Sequence, residues 1–324
     1  MDYAKVQGVD KPLSRIVLGT MIISAKETER SFALLDAALQ MGCSTFDTAH
    51  IYALGESERG IGMWFEARKN REDVCIVSKG AHPNADRDKV TPFDISADLH
   101  DSLARMKTDY VDIYLLHRDD LSQPVGPIVE VFNEHLRAGR IRAFGGSNWT
   151  HQRIQEANEY ARANDLVPFT VSSPNYGLAE QLGDPWGGGC VTLTGEAQTE
   201  ARKWYTQTRM PVLAWSSLGR GLFSGRIARE NFAALKDTLE KPVVNAYCHE
   251  RNFQRLDRAR VLAQELGVSI AQVATAYAVS QDFCVHPIIG AADASELRQV
   301  VDALRLRLVA PQLAWLDLRA ETRD

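Results

Sequence analysis

The chain has 324 residues, of which 45% are hydrophobic and 24% charged, and its formal net charge is −5. This is the composition of a globular protein, and the weak acidity argues against a nucleic-acid partner, which needs a strongly basic face. No segment approaches the roughly 18 consecutive apolar residues of a membrane span, so no membrane partner is expected.

Short apolar segments alternate with segments of helical periodicity along most of the chain. Ser57, Asp94 and Thr150 are expected to cap the helices that follow them, and Gly42 and Gly139 to end helices. The predicted strands are residues 16–19, 45–46, 74–78, 110–116, 143–146, 169–172, 212–214 and 285–289. The predicted helices are residues 27–41, 57–67, 94–107, 127–138, 150–164, 196–208, 252–266, 270–280 and 295–304.

Eight successive β–α units predict a (β/α)8 TIM barrel, and the lack of a Pro- or Ser-rich linker favours one domain over residues 1–324. A doubly wound parallel sheet is the alternative, although it does not require eight regular units. Residues 177–193 and 221–251 interrupt the pattern after predicted strands. In a barrel, such insertions form long loops at the C-terminal face, where sites are built.

Cysteine and histidine usage gives no indication of a metal site. The five cysteines are scattered and form no CxxC pair, and the eight histidines show no HxxxH or HxH spacing. We therefore expect no metal and no disulfide framework. Residues 1–5 lack the layout of a secretory signal, and a reducing cytoplasm is the expected location.

Four chemically distinctive residues follow the predicted strands. Asp47 ends the second strand and Tyr52 lies in the loop after it, whereas Lys79 and His117 end the third and fourth strands. Taken singly, each has a structural explanation, such as a helix cap or a solvated charge. The carboxyl ends of parallel strands meet on one rim of a barrel, so we expect the four side chains to lie together.

The four residue types suit the reduction of a carbonyl by hydride, because the alkoxide that forms needs a proton. A tyrosine can supply it, and a buried lysine ammonium is expected to lower the tyrosine pKa from its usual value of about 10. A carboxylate keeps that lysine charged, and a histidine can donate to the substrate oxygen. Asp47, Tyr52, Lys79 and His117 are therefore the predicted catalytic residues.

Four segments resemble the aldo-keto reductases: residues 46–58 (FDTAHIYALGESE), 77–80 (VSKG), 109–117 (DYVDIYLLH) and 145–149 (GGSNW). The resemblance covers residues 15–304. It implies a (β/α)8 barrel and nicotinamide-dependent reduction of aldehydes or ketones. By the same resemblance, Tyr52 is the general acid, Lys79 and Asp47 tune it, and His117 orients the carbonyl.

The resemblance also implies a cofactor site. Ser147 and Asn148 match the pair that binds the nicotinamide carboxamide, Trp215 matches the aromatic residue that stacks on the ring, and Ser173 stands where the family usually has glutamine. Ordinary packing at the rim is the alternative for Trp215. The segment 216–221 resembles the loop that wraps the pyrophosphate, and its expected binding residues are Ser216, Leu218, Gly219 and Arg220.

The segment after the eighth strand departs from the family pattern. The family often has a basic residue near the position of Gly290 or Asp293 and an arginine near that of Glu296, and these cations bind the 2′-phosphate of NADP. Here Asp293 and Glu296 are acidic. Arg298 or Arg220 would have to compensate for this charge. NADP(H) is the cofactor by family default, and NAD(H) is the alternative because carboxylates commonly bind the ribose of NAD. Gly290, Glu296, Arg298 and Gln299 are the expected adenosine-side residues.

Polar and aromatic residues near the predicted catalytic residues favour a polar carbonyl, such as a sugar or keto-sugar. The expected partner is thus a small carbonyl compound or the matching alcohol. The alternative is that the charges cap helices and face solvent, as Asp119 and Asp120 could. The candidates are His50, His82, Arg118, Asp119, Asp120, Trp149 and Trp186, with His82, Arg118, Trp149 and Trp186 as the expected substrate residues.

Two other functions remain open on the sequence. One is a non-catalytic nicotinamide-binding subunit, similar to the potassium-channel β subunits that share this fold. The other is an enzyme that retains NAD and recycles it, which would give net elimination, epimerisation or hydrolysis. The oligomeric state is not predicted.

Overall fold

The structure is a computed structural model and describes residues 1–323. A short antiparallel hairpin, β1 (Tyr3–Ala4) and β2 (Leu13–Ser14), precedes eight parallel strands. These strands close into a barrel in which chain neighbours pair and the last strand pairs with the first. They are β3 (Val17–Gly19), β4 (Thr45–Asp47), β5 (Cys75–Gly80), β6 (Val111–Leu116), β7 (Ile141–Ser147), β8 (Val171–Ser173), β9 (Val212–Ala214) and β10 (Val285–Ile289). The predicted (β/α)8 barrel is confirmed, and the doubly wound sheet is excluded.

Helices surround the barrel. They are α1 (Thr28–Gln40), α2 (Glu56–Arg68), α3 (Pro92–Met106), α4 (Val125–Arg137), α5 (His151–Ala163), α6 (Thr199–Thr208), α7 (Phe232–Leu235), α8 (Lys241–Tyr247), α9 (Glu250–Leu266), α10 (Ile270–Val279), α11 (Ala294–Asp302) and α12 (Ala310–Leu316). No helix within residues 1–323 has both the length and the apolar character needed to cross a membrane.

Two apolar cores hold the barrel together. The larger one packs the helices against the outside of the strands, and the smaller one fills the barrel interior. The segment between β1 and β2 adds Val6 and Val9 to the interior core, and Gly8 lies against the carbonyl of Arg142 near the start of β7. A side chain at Gly8 would have its Cβ only 2.5 Å from that oxygen. The hairpin therefore covers the N-terminal end of the barrel.

The helix caps only partly match the prediction. Thr150 caps α5 by accepting a hydrogen bond from the Arg153 amide, as predicted. Asp94 is not a cap, because α3 begins two residues earlier at Pro92 and its cap is Thr91. Ser57 is not a cap either: it lies inside α2, and its hydroxyl donates to the Thr20 carbonyl at 2.8 Å.

Both predicted insertions follow the carboxyl ends of barrel strands. Residues 177–193 follow β8 without a helix, and the backbone of Thr192 in this loop bridges that of Asn175. Residues 221–251 follow β9 and contain the short helices α7 and α8. The two insertions therefore lie at the C-terminal end, opposite the hairpin.

Candidate active site

The four predicted catalytic residues meet at the C-terminal rim. Asp47 is the last residue of β4, Lys79 lies near the end of β5, and His117 follows β6 directly. Tyr52 begins a short 3-10 turn, Tyr52–Gly55, between β4 and α2. Parallel pairing of these strands aligns their carboxyl ends, which places residues far apart in sequence at the same rim.

Lys79 lies at the centre of the cluster. Its Nζ is 2.7 Å from Oδ1 of Asp47, and both side chains are only 3% exposed. The same Nζ donates to the Tyr52 hydroxyl at 3.0 Å and to the Thr48 carbonyl at 2.9 Å. Three polar neighbours match the three N–H groups of an ammonium. Because Lys79 donates to the phenol oxygen, the proton of Tyr52 is not needed for this bond and is available to a substrate.

Burial and neighbouring charges shift the pKa values of Tyr52, Lys79 and Asp47 in opposite directions. Burial raises the pKa of Tyr52 above its usual value, and the positive charge of Lys79 offsets this rise only in part. The predicted lowering of the Tyr52 pKa is therefore wrong for the protein alone, because desolvation outweighs the lysine. Burial lowers the pKa of Lys79, but attraction to Asp47 and to Tyr52 outweighs burial and leaves that pKa raised. Burial also raises the pKa of Asp47 against the pull of Lys79.

His117 is a neutral imidazole beside the tyrosine. Burial, together with the charges of Lys79 and Arg118, holds the pKa of His117 well below its usual range. Its ring contacts the Tyr52 ring edge-on at 5.8 Å between centroids, and the His82 ring in the same manner at 4.8 Å. A neutral imidazole carries one N–H and one lone pair, so it can donate a single hydrogen bond to a substrate oxygen.

Glu58 and Arg105 hold the loop that carries Tyr52. The residues Ala53, Leu54 and Gly55 all have positive φ, and a Cβ at Gly55 would lie 2.8 Å from the guanidinium of Arg105. Arg105 pairs with the fully buried Glu58 at 3.1 Å. The sequence reasoning missed both roles, although Glu58 is the last residue of the segment 46–58.

The predicted carboxamide residues form one hydrogen-bonded cluster. Ser147 and Ser173 are register partners on β7 and β8, and the Ser147 hydroxyl donates to the Ser173 carbonyl at 2.9 Å. The Asn148 amide donates to the His117 carbonyl and to Ser147, and the Ser173 hydroxyl donates to the Leu213 carbonyl. Because these donors are occupied, the cluster presents oxygen lone pairs. Such acceptors suit the NH₂ group of a carboxamide.

Trp215 lies after β9 at the same rim. Its ring contacts the Trp186 ring edge-on at 5.7 Å, and the guanidinium of Arg220 lies 5.6 Å from the Trp186 ring centre. Nε1 of Trp215 and Nδ1 of His117 are buried without a hydrogen-bond partner within residues 1–323. Buried polar atoms are normally paired, so these two atoms fit a group bound at the rim.

The predicted pyrophosphate loop follows Trp215. Its backbone has positive φ at Ser216, Gly219 and Arg220, which fold it into consecutive turns. The amide of Gly219 donates to the Ser216 carbonyl, and the half-buried Leu218 packs against the outer core. Arg220 pairs with Glu240 at 3.1 Å, so its charge is already partly compensated.

The two acidic groups after β10 have local partners. Asp293 caps α11 by accepting from the amides of Ser295 and Glu296, and Glu296 accepts from the Ala292 amide. Arg298 and Gln299 are exposed, and Arg298 has no ion pair with any residue that the structure describes. A Cβ on Gly290 would meet open space. Among residues 1–323, the N-terminal part of α11 therefore has one cation without an ion pair, Arg298.

Of the predicted substrate residues, three lie at the rim: His82 contacts the ring of His117, Arg118 follows His117 directly, and Trp186 contacts Trp215. Trp149 does not: its ring is fully buried against Phe169, and its Nε1 donates to the Arg118 carbonyl. The prediction of Trp149 as a substrate residue is therefore wrong, because packing of α5 against the barrel takes the ring inward.

Three charged or polar candidates also have structural partners. Asp119 pairs with Arg153 at 3.2 Å, and Asp120 accepts hydrogen bonds from Ser122. His50 lies 3.1 Å from Asp101 on α3. These interactions agree with the alternative that the charges serve the loops and helices.

The fold and the cluster together define a TIM-barrel protein with a buried cluster of Asp47, Tyr52, Lys79 and His117 at its C-terminal rim. The Aldo/keto reductase family matches residues 15–318, and the chain belongs to this family of oxidoreductases.

Relatives include the uncharacterized oxidoreductase YrpG of Bacillus subtilis, 27% identical over 95% of this chain and 92% of that protein. A probable voltage-gated potassium channel subunit beta of Oryza sativa subsp. japonica is 29% identical over 89% of this chain and 84% of that protein. The crystal structure of the thermostable aldo-keto reductase Tm1743 with the inhibitor epalrestat matches the fold with a TM-score of 0.73 at 22% identity. That match covers 99% of this chain and 100% of Tm1743.

Proposed function

We propose that this chain is a single-domain enzyme that reduces an aldehyde or ketone with a nicotinamide dinucleotide, or oxidises the matching alcohol. The observation that carries the proposal is the Lys79 ammonium, which contacts both Asp47 at 2.7 Å and the Tyr52 hydroxyl at 3.0 Å. A proton donor of high pKa needs a stabilised conjugate base to act at neutral pH, and the ammonium provides that stabilisation.

Each residue of the cluster has a separate task. Tyr52 gives its proton to the carbonyl oxygen as negative charge develops there, and Lys79 stabilises the phenolate that remains. Asp47 keeps Lys79 charged in its buried position. His117 donates one N–H to the same carbonyl oxygen and so fixes the orientation of the carbonyl.

When bound, a nicotinamide dinucleotide would supply the hydride. Ser147, Asn148 and Ser173 would hold its carboxamide, Trp215 its ring, and residues 216–220 its pyrophosphate. Gly290, Glu296, Arg298 and Gln299 would bind the adenosine side. We propose NADP(H) as the cofactor, with the uncommitted Arg298 on the 2′-phosphate. NAD(H) is the alternative, because Asp293 and Glu296 lie at the same terminus.

We propose a polar, sugar-like carbonyl as the substrate. His82 and Arg118 lie beside His117, and Trp186 lies against Trp215. The Arg118 guanidinium and the Trp186 indole N–H can donate to hydroxyl or carbonyl oxygens, and His82, whose Nδ1 donates to the Pro83 carbonyl, can accept from a hydroxyl through Nε2.

A regulatory subunit is the second candidate function, favoured by the 29% identity to the probable potassium channel subunit beta. The third is internal redox cycling with retained NAD. One experiment separates the three: the purified protein is tested for retained cofactor, and then for oxidation of added NADPH or NADH by a panel of sugar and apolar aldehydes. Our proposal predicts carbonyl-dependent oxidation. Cofactor binding without turnover supports a subunit, and product formed without net cofactor oxidation supports cycling.

A further inference from the structure

Arg118 differs from the other buried arginines of this protein. Three arginines within residues 1–323 are less than 9% exposed: Arg118, Arg153 and Arg255. Arg153 pairs with Asp119 at 3.2 Å and with Glu156 at 3.0 Å. Arg255 pairs with two carboxylates in the same way, those of Glu180 and Asp317.

Arg118 has no such partner within residues 1–323. Its one side-chain hydrogen bond runs from Nη1 to the His117 carbonyl at 3.0 Å, and no carboxylate of residues 1–323 lies within 4.0 Å of its guanidinium. A guanidinium has five N–H donors, so most of them remain available. A buried, unpaired charge is costly unless something compensates it, and proteins normally pair such charges.

The loop after β8 flanks the guanidinium with a glycine. Gly188 in the loop after β8 lies beside it, and a Cβ at that position would be 3.5 Å from Nε of Arg118. The nearby acid Asp184 accepts from the Gly189 amide and makes no ion pair with Arg118. The residue that flanks Arg118 therefore carries no side chain that could cover it.

Arg118 also carries a charge next to the catalytic cluster that is only partly compensated, because it lowers the pKa of Asp184 but forms no ion pair with that carboxylate. The charge of Lys79 is matched by Asp47 at 2.7 Å, whereas the rings of His82 and His117 contact each other and both have lowered pKa values. The positive charge of Arg118 contributes to the lowering at both histidines. A ligand beside His117 thus meets a guanidinium that has no ion-paired carboxylate among residues 1–323.

We propose that Arg118 binds an anionic group, a carboxylate or a phosphate, on the carbonyl substrate, so that the substrate is an oxo acid or a phosphorylated aldehyde or ketone. A planar guanidinium binds either group through two parallel hydrogen bonds. This inference deepens the proposed function and rests on it, and a phosphorylated sugar would satisfy both.

Two matched substrate pairs test the inference: 4-carboxybenzaldehyde against benzaldehyde, and glyceraldehyde 3-phosphate against glyceraldehyde. In the wild-type protein, kcat/KM is expected to be at least about tenfold higher for the anionic member than for the neutral member of one pair. The pair that shows this preference tells whether Arg118 binds a carboxylate or a phosphate. In Arg118→Gln, kcat/KM for the anionic member is expected to fall about 10- to 100-fold more than kcat/KM for the neutral member, mainly through KM, so that the preference within the pair is lost. Arg162→Gln removes an equal charge from the exposed end of α5 and is the control.

Two results would overturn the inference: equal kcat/KM values within both pairs, or an equal loss for all four substrates in Arg118→Gln. Isothermal titration calorimetry with 4-(hydroxymethyl)benzoate measures binding without turnover, and so separates failure of the proposed anion site from failure of the proposed reductase function. Absence of turnover in both pairs refutes the reductase, whereas binding that is lost in Arg118→Gln supports the anion site independently of turnover.

Discussion

Replacing Lys79 by methionine removes the ammonium but keeps a side chain of similar length. The lost contact is the 3.0 Å hydrogen bond to the Tyr52 oxygen, which strengthens as that oxygen becomes negative. A hydrogen bond to a charged group has a net worth of about 1.5–3 kcal/mol. The Coulomb energy of two unit charges at 3.0 Å with an effective dielectric constant of about 20 gives an upper limit of about 5.5 kcal/mol.

Each 1.36 kcal/mol corresponds to a tenfold change in rate. The hydrogen bond alone therefore predicts that kcat of Lys79→Met falls by about 10- to 160-fold, and the Coulomb limit caps the fall at about 10⁴-fold. The assay is carbonyl-dependent oxidation of NADPH, with the dissociation constant of NADPH measured on the same sample. Cofactor binding should change much less than kcat, because Lys79 contacts Asp47, Thr48 and Tyr52 rather than the predicted cofactor residues.

Removing Lys79 also leaves Asp47 as a buried carboxylate without a partner, which could destabilise the fold. The double variant Asp47→Asn/Lys79→Met removes that charge, and it should recover stability without recovering kcat. Lys89→Met, which breaks an ion pair of 2.6 Å with Asp98, is the matched control and should keep its activity. A kcat of Lys79→Met within about twofold of wild type would refute the role of Lys79.

Three further predictions follow from charges and burial. Because the pKa of Tyr52 is raised, reduction should lose activity only at a pH above the usual tyrosine pKa of about 10. Lys79→Met should move this loss of activity to a still higher pH, and a shift to lower pH would contradict the stated effect of Lys79 on the Tyr52 pKa. Burial lowers the pKa of His286 to about 4. Because the unfolded chain takes up this proton first, the free energy of unfolding should fall by up to about 3 kcal/mol between pH 6.5 and 4. Urea titrations of His286→Asn should show a smaller fall over this range, and an unchanged pH dependence would contradict the prediction. Arg298→Gln should weaken NADPH binding about tenfold and leave NADH binding unchanged in fluorescence titrations, and equal effects on both would remove Arg298 from the 2′-phosphate.

The barrel and the meeting of the catalytic residues could be predicted because both follow from chain order. Alternating strands and helices fix the parallel direction, and the parallel direction brings Asp47, Lys79 and His117 to one rim. The caps Ser57 and Asp94 were wrong because cap position depends on one or two residues at a helix start. Thr91 with Pro92 at the first helical position takes the role assigned to Asp94.

Other features depend on contacts between distant residues and could not be predicted from local pattern. The burial of Trp149, the pair of Asp119 with Arg153 and the unpaired state of Arg118 result from how α5 and the loop after β8 pack at the rim. The direction of the Tyr52 pKa shift depends on the balance between desolvation and one charge. The size of each contribution to the pKa depends on burial and distance in the folded protein, whereas residue types alone give only its sign.

The most direct test of the account is the carbonyl-dependent oxidation of NADPH and NADH by the wild-type protein and by Tyr52→Phe, with cofactor dissociation constants measured on both. Phenylalanine keeps the ring but removes the hydroxyl that Lys79 contacts at 3.0 Å. The account predicts turnover in the wild-type protein and a loss of about 10²–10⁴-fold in kcat of the variant, with cofactor binding retained. Wild-type turnover that survives in Tyr52→Phe, or cofactor binding without turnover of any carbonyl in the wild-type protein, would contradict it.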